Sequence, residues 1–197
     1  HNENVMYVTL NNHKRGDFKP YIYKSSNKGQ TWVSISNGLP ERGSTYSMAE
    51  DFVDANLLFV ATEFGVHFSN DGGISWRQIK GGLPTVAIRD MAIQKRETDL
   101  VLASFGRGFY VLDDYAPLRH LKDVEGKEAH LFPIKDSWMF IPNSPLGIRG
   151  KGFQGESYYR NENPPVGAVF TYYFNQDLKT KKEKRQEEES KAAKDGK

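Results

Sequence analysis

The sequence predicts an all-β chain: a partial β-propeller of about three four-stranded blades, then a linker, one strand of a β-sandwich and a charged helical tail. Two observations carry most of this. The chain repeats itself at a spacing of 44 residues, so that SSNKGQTW at 25–32 aligns with SNDGGISW at 69–76, and NGLP at 37–40 with GGLP at 81–84. Between the repeats lie short runs rich in Val, Ile, Phe, Tyr and Thr, bounded by Gly, Asn, Asp and Pro, as strands are. A period of roughly 40–50 residues built from short strands is that of a propeller blade. A helical reading fails, because no segment before the tail keeps an apolar period of 3.6 residues over three turns.

The strands follow in order. Residues 5–10, 21–24 and 31–35 make a first unit that lacks one inner strand. Residues 45–50, 57–61, 65–69 and 75–79 make a second, and 86–93, 100–104 and 108–112 a third, with 130–133 as its outer closing strand. Leu57-Leu58-Phe59-Val60-Ala61 and Leu100-Val101-Leu102-Ala103 are apolar without alternation, which marks strands buried on both faces. The expected divisions are 1–135 for the blades, 136–163 for the linker, 164–175 for the first sandwich strand and 176–197 for the tail. Residues 179–197 hold eight basic and five acidic side chains and no large apolar one, with i,i+4 partners such as Lys184 and Glu188. With no face to bury, the tail is a solvated helix or disordered.

The repeated S-x-[DN]-x-G-x-[TS]-W has a physical account as a hairpin turn. Asp71, and Asn27 in the other copy, accept hydrogen bonds from the backbone N–H groups of the turn. Gly29 and Gly73 supply positive φ. Ser25, Thr31, Ser69 and Ser75 tie the turn ends, while Trp32 and Trp76 fold back over apolar surface. A calcium loop would need several carboxylates at alternating positions, and only Asp71 is there. With this motif, the runs LLFVATEFGVHFSNDGGISW (57–76) and LVLASFGRGFYVLDDYAPLRH (100–120) resemble the bacterial sortilin-type Asp-box, or BNR-repeat, propeller proteins, often labelled glycosyl hydrolases. The likeness covers 1–135 and extends loosely to NPPVGAVFTYY (163–173), where those proteins begin a β-sandwich. The resemblance implies an exported protein, extracellular or periplasmic, with more blades than three. The first functional reading is a scaffold whose partners are a peptide or glycan ligand and the remaining blades and β-sandwich domain of its parent chain.

The alternative is a glycoside hydrolase whose catalytic carboxylates lie largely outside this sequence; a third reading is a purely structural spacer. A glycosidase needs two carboxylates about 5–10 Å apart across a cleft. The candidate cleft residues are Glu63, Arg89, Asp90, Arg107, Asp113 and Asp114, with Glu50 and Asp51 as further carboxylates. Arg89 with Asp90, and Arg107 with an Asp, read first as structural ion pairs. Asp113 and Asp114 occupy the turn of a degenerate third repeat, where capping is the default role. Neither a sialidase constellation nor the paired Asp of xyloglucan-cleaving propellers can be matched residue by residue, so no catalytic residue is assigned.

Other classes are excluded or weak. GKGFQG at 150–155 fits G-x-G-x-x-G but lacks the strand before it and the helix after it. His1, His13, His67, His120 and His130 show no metal-ligand spacing, and neither metal nor other cofactor is expected. His67 reads as a satisfied histidine on a blade face, and Trp138 and Phe140 as rim packing before sugar stacking. The absence of Cys removes disulfides, zinc fingers, thiol nucleophiles and iron–sulfur sites. A net charge of +2 gives no case for nucleic acid, and no apolar run approaches the roughly 18 residues of a membrane span. The start at His1, without a basic and apolar leader, reads as a processed end or an internal piece.

Overall fold

The computed structural model describes residues 1–141, 166–176 and 178–194. Among these the chain is mostly β, with four open antiparallel sheets and two short α-helices. It divides into two compact units, His1–Glu125 and Gly126–Lys197. The expected linker falls outside the described residues from position 142 onward, as does the glycine-rich run at 150–155.

The first unit holds three meandering sheets in sequence order. The first contains β1 (Met6–Asn12), β2 (Asp17–Ser25) and β3 (Val33–Ser34). The second contains β4 (Thr45–Glu50), β5 (Leu58–Thr62), β6 (Gly65–Ser69) and β7 (Arg77–Ile79). The third contains β8 (Ile88–Gln94), β9 (Asp99–Ser104) and β10 (Phe109–Leu112). Pairing registers show which strands correspond. Val8 faces Tyr23 as Val60 faces His67 and as Leu102 faces Tyr110. Hence β1, β5 and β9 are equivalent, and so are β2, β6 and β10.

About three four-stranded blades were expected, the first short of one inner strand, and among the described residues the strand counts are three, four and three. The first sheet lacks a counterpart of β4, and the third lacks a counterpart of β7. The segment at 130–133 does not close the third sheet. Instead β11 (Ala129–Leu131) pairs antiparallel with β12 (Tyr172–Phe174) in the second unit, where Tyr172 and Phe174 meet edge to face at 5.2 Å.

Alternation of side chains gives each sheet of the first unit a front and a back. The back of the first sheet, with Tyr7, Ile22 and Ile35, receives Leu58, Val60 and Trp76 from the front of the second. The back of the second, with Leu57, Phe59, Ala61, Val66 and Phe68, receives Leu100, Leu102, Tyr110 and Leu112 from the front of the third. This explains why β5 has no exposed position: it is buried on both faces. Each such aliphatic or aromatic side chain contributes about 1.5–3 kcal/mol on burial.

One ion pair ties the end of this stack. Asp51, in the loop after β4, is fully buried. Its Oδ1 accepts from Tyr115 Oη at 2.6 Å and from Arg119 Nη2 at 2.8 Å, and its Oδ2 from Arg119 Nε at 2.8 Å and the Asp54 N–H at 2.7 Å. Burial works to raise the Asp51 pKa, but the hydrogen bonds from Arg119, Tyr115 and the Asp54 backbone outweigh it and hold the carboxyl below its ordinary value. The Tyr115 ring meets Phe59 edge to face at 5.0 Å, so the pair sits against the core. Tyr115 and Arg119 are carried by the segment leading through the 3-10 turn Ala116–His120 into α1 (Leu121–Val124).

In the second unit, the tail is helical over α2 (Lys181–Lys194) and buries no side chain. A reciprocal cap starts it: Thr180 Oγ1 accepts from the Glu183 N–H, and the Glu183 carboxylate accepts from the Thr180 N–H. Arg185 and Glu189 form an i,i+4 pair on its surface at 3.1 Å.

Two stability outcomes are expected. Arg119→Met leaves the Asp51 charge buried without its partner and costs about 3–5 kcal/mol in urea unfolding. His67 is buried with no hydrogen-bond partner at Nδ1, and burial lowers its pKa in the folded state. The unfolded chain therefore takes up this proton first, so stability is greatest above about pH 6.5 and falls as the pH drops below it. His67→Gln lessens that acid-side slope, read from denaturation midpoints measured across the interval.

Candidate functional site

The two repeated turns, at 25–32 and 69–76, are built alike from equivalent residues. In the second sheet, Ser69 Oγ donates to Asp71 Oδ1 at 2.6 Å and accepts from the Gly73 N–H at 2.9 Å. Asp71 Oδ1 also accepts from the N–H groups of Ile74 and Ser75 at 2.9 and 3.0 Å, and Ser75 Oγ donates to Oδ2. Burial opposes the charge on Asp71, but these bonds outweigh it and hold the carboxyl at about 2. In the first sheet, Ser25 Oγ donates to Asn27 Oδ1 at 2.9 Å and accepts from the Gly29 N–H at 2.8 Å. Asn27 has only one acceptor oxygen. Its amide donates to Thr31 Oγ1 at 2.8 Å, reversing the sense of the Ser75–Asp71 bond.

What differs is the tryptophan. Trp76 is 7% exposed and its Nε1–H donates to the Ile35 carbonyl of the first sheet at 2.7 Å. Gly73 lies so close that a Cβ there would come within 2.8 Å of Ile35 Cδ1. Trp32, expected to fold over apolar surface in the same way, is 41% exposed. No described sheet presents a back to it.

Registers place the cleft candidates at two ends of the sheets. Glu63 sits in the β5–β6 hairpin and Arg107 in the β9–β10 hairpin, at the end where β4 and β8 begin. Both inner strands bulge there at equivalent residues, Tyr46 and Arg89. A bulge redirects neighbouring side chains. The Arg89 guanidinium therefore stacks on Tyr46 at 4.1 Å and on Phe105 at 5.0 Å, while Asp90 Oδ1 accepts from Ser47 Oγ at 3.0 Å. The two candidates thus have separate partners. Asp113 and Asp114 lie at the opposite end, past β10. Asp114 takes positive φ, its N–H donates to Asp99 Oδ1, and its own Oδ1 accepts from Ala116 N–H, which turns the chain toward Tyr115.

The hairpin end has a feature that sequence reading missed. Phe18, Phe64 and Phe105 stand exposed there, one per sheet. Beside Phe18 opens a groove of about 910 Å³, lined by Tyr21, Tyr23, Leu39, Pro40 and Arg42. Arg42 sits over the Phe18 ring at 5.4 Å, and Tyr21 Oη donates to Asp17 Oδ2 at 2.6 Å. That bond leads the causes that lower the Asp17 pKa and raise that of Tyr21. A smaller groove of about 370 Å³ occupies the equivalent place on the second sheet, lined by Phe64, Gln78, Leu83 and Pro84. The available signal was an aromatic residue beside each hairpin of the repeat. Trp138 and Phe140, read as packing residues, stand exposed.

Among the described residues no group of His, Asp and Glu is arranged to hold a metal ion, and no helix is long and apolar enough to cross a membrane. No family model and no curated protein matches the chain. Solved structures similar to it include an ancestral GH74 enzyme, at 25% identity and a TM-score of 0.43 over 53% of this chain and 12% of that one. The GH74 enzyme of Niastella koreensis aligns at 20% identity and a TM-score of 0.45, over 57% of this chain and 20% of that one. A GH74 xyloglucanase from Xanthomonas campestris aligns at 13% identity and 0.42, over 59% and 20%. The chain thus spans 12% to 20% of the length of these structures.

The contrast between the two tryptophans is measurable. Trp76→Ala removes a buried ring and its hydrogen bond and costs about 3–5 kcal/mol. Trp32→Ala costs about 1 kcal/mol or less. Equal losses in urea unfolding would contradict the difference in seating.

Proposed function

We propose that this chain is a stretch of an exported Asp-box β-propeller that works as a protein- or glycan-binding scaffold, outside the cytoplasm. Its partners are a peptide or glycan ligand and, in a longer parent, further blades and a β-sandwich domain. The observation that carries the reading is the row of exposed Phe18, Phe64 and Phe105 at one end of successive sheets, with Arg42 and Arg89 over two of the rings. Exposed aromatic rings beside guanidinium groups supply flat apolar contact with charged and hydrogen-bonding edges, as binding surfaces do. The groove at Phe18 adds depth to that row. Isolated surface phenylalanines need no explanation, but three at one end of a repeat call for a partner.

The reading assigns no catalysis to this chain. Asp90 bonds Ser47 and Asp114 serves a turn, so neither supports an acid–base pair.

The test is an NMR titration of the chain with cellohexaose, as a neutral glucan, and with a pooled peptide library. One class is expected to shift the amides around Phe18, Phe64 and Phe105. Phe64→Ala and Phe105→Ala, both at exposed positions, are expected to weaken that binding about tenfold or more, the loss of roughly 1.4 kcal/mol of contact. Shifts confined to other surfaces, or no binding in either class, would reject the scaffold reading.

A further inference from the structure

Each exposed phenylalanine at the hairpin end has a cation beside it. The Arg42 guanidinium lies 5.4 Å from the centre of the Phe18 ring, and that of Arg89 lies 5.0 Å from the centre of Phe105. Lys80 lines the same groove as Phe64. The pairing of ring and cation therefore recurs on three successive sheets. Arg89 is held at the junction of the second and third sheets, because it also stacks on Tyr46 at 4.1 Å, yet the residue stays exposed. Arg107, exposed in the same hairpin as Phe105, adds a further positive charge. Among the described residues no carboxylate pairs with Arg42, Lys80, Arg89 or Arg107. Asp90, next in sequence to Arg89, is turned to Ser47.

The hydrogen-bonding side chains around these groups are already occupied. Ser47 donates to Asp90, Gln78 to the Phe64 carbonyl and Ser104 to the Gly108 carbonyl. What remains for a ligand is positive charge and apolar ring. A glycan presents an edge of hydroxyl groups, and each one covered without a partner costs free energy. A peptide with carboxylates set between apolar side chains asks only for cations and rings. The opposite end of the sheets carries carboxylates such as Asp51, Asp71, Asp99 and Asp114, so the field of this unit steers an anionic chain to the hairpin end. We propose that the hairpin end binds an acidic peptide, with Asp or Glu side chains on Arg89, Arg107, Lys80 and Arg42 and apolar side chains on Phe64 and Phe105. The inference rests on the binding reading of this end and names the chemistry of its ligand.

NMR titration of the whole chain tests this with a set of peptides of one length, capped at both ends so that only side chains carry charge. One has Glu interspersed with Leu, one has Gln in place of every Glu, and one has Lys. A glucuronate oligosaccharide is the acidic glycan for comparison. The Glu peptide is expected to shift the amides around Phe64 and Phe105 and to bind about tenfold or more tightly than the Gln peptide. The Lys peptide is expected not to bind there. Raising the salt to about 1 M, where the screening length is about 3 Å, is expected to remove most of the preference. Arg89→Gln is expected to weaken binding of the Glu peptide about tenfold, and Arg107→Gln about threefold. Lys95→Gln, at the opposite end, is expected to leave it unchanged. Circular dichroism checks the fold of each variant. Arg107 stacks on no ring among the described residues, so its variant decides alone if Arg89→Gln disturbs the fold.

Equal binding of the Gln peptide at this end overturns the acidic-peptide assignment. So does an equal loss from Lys95→Gln, full binding by the arginine variants, or tighter binding of the glucuronate oligosaccharide. Each of these results leaves the binding reading of the hairpin end in place. No shift at this end with any of the probes removes both.

Discussion

The first unit depends on one kind of contact, the seating of a sheet's front on the back of the sheet before it. An antiparallel meander with apolar side chains on its faces must bury them against another layer. Stacking supplies what each sheet lacks. Leu58 and Val60 enter the back of the first sheet, while Leu57, Phe59 and Val66 receive the third. The second sheet is therefore the best ordered by packing, with every residue of β5 and β6 buried. The indole of Trp76 fixes the alignment of this seating, because its N–H reaches a single carbonyl, that of Ile35.

The repeated turns serve that seating. A hairpin turn that only reversed the chain would not need a carboxylate accepting four hydrogen bonds. The network around Asp71 makes the turn rigid and delivers Trp76 at a defined height. In the first sheet a related network forms around Asn27, with the bond to Thr31 reversed, although its tryptophan has no described sheet to meet. The turn is thus a local structure that forms from its own residues, and the burial of its tryptophan is a separate event. The Asp51–Tyr115–Arg119 cluster plays a different part. It joins the loop after β4 to the segment beyond β10, so that residues far apart in sequence close over Phe59.

The hairpin end and the opposite end have different chemistry. At one end the inner-strand bulges turn Arg89 onto rings and Asp90 onto Ser47, and each hairpin region exposes a phenylalanine. At the other end the carboxylates Asp51 and Asp114 are consumed in structural bonds. The end proposed to meet a ligand and the end that holds the sheets together are thereby separated along the strands.

Local patterns in the sequence settled what short-range chemistry can settle. The spacing of 44, the Ser, Asn or Asp, Gly and Trp of each turn, and the unbroken apolar runs at 57–61 and 100–103 gave the strands, the turns and their repeat, since each rests on neighbours within a few residues. Strand ends moved by a few positions; β2, for example, begins at Asp17 rather than Tyr21. Tertiary structure decided what depends on distant partners. It determined that β11 pairs with β12, that Arg89 and Asp90 part company, and that one tryptophan is buried while its twin is not. Arg119, unremarkable in the sequence, became the partner of Asp51 because only folding brings a residue 68 positions away to that carboxylate. Period and turn chemistry are written in consecutive residues, whereas burial is a property of the surface that arrives from elsewhere.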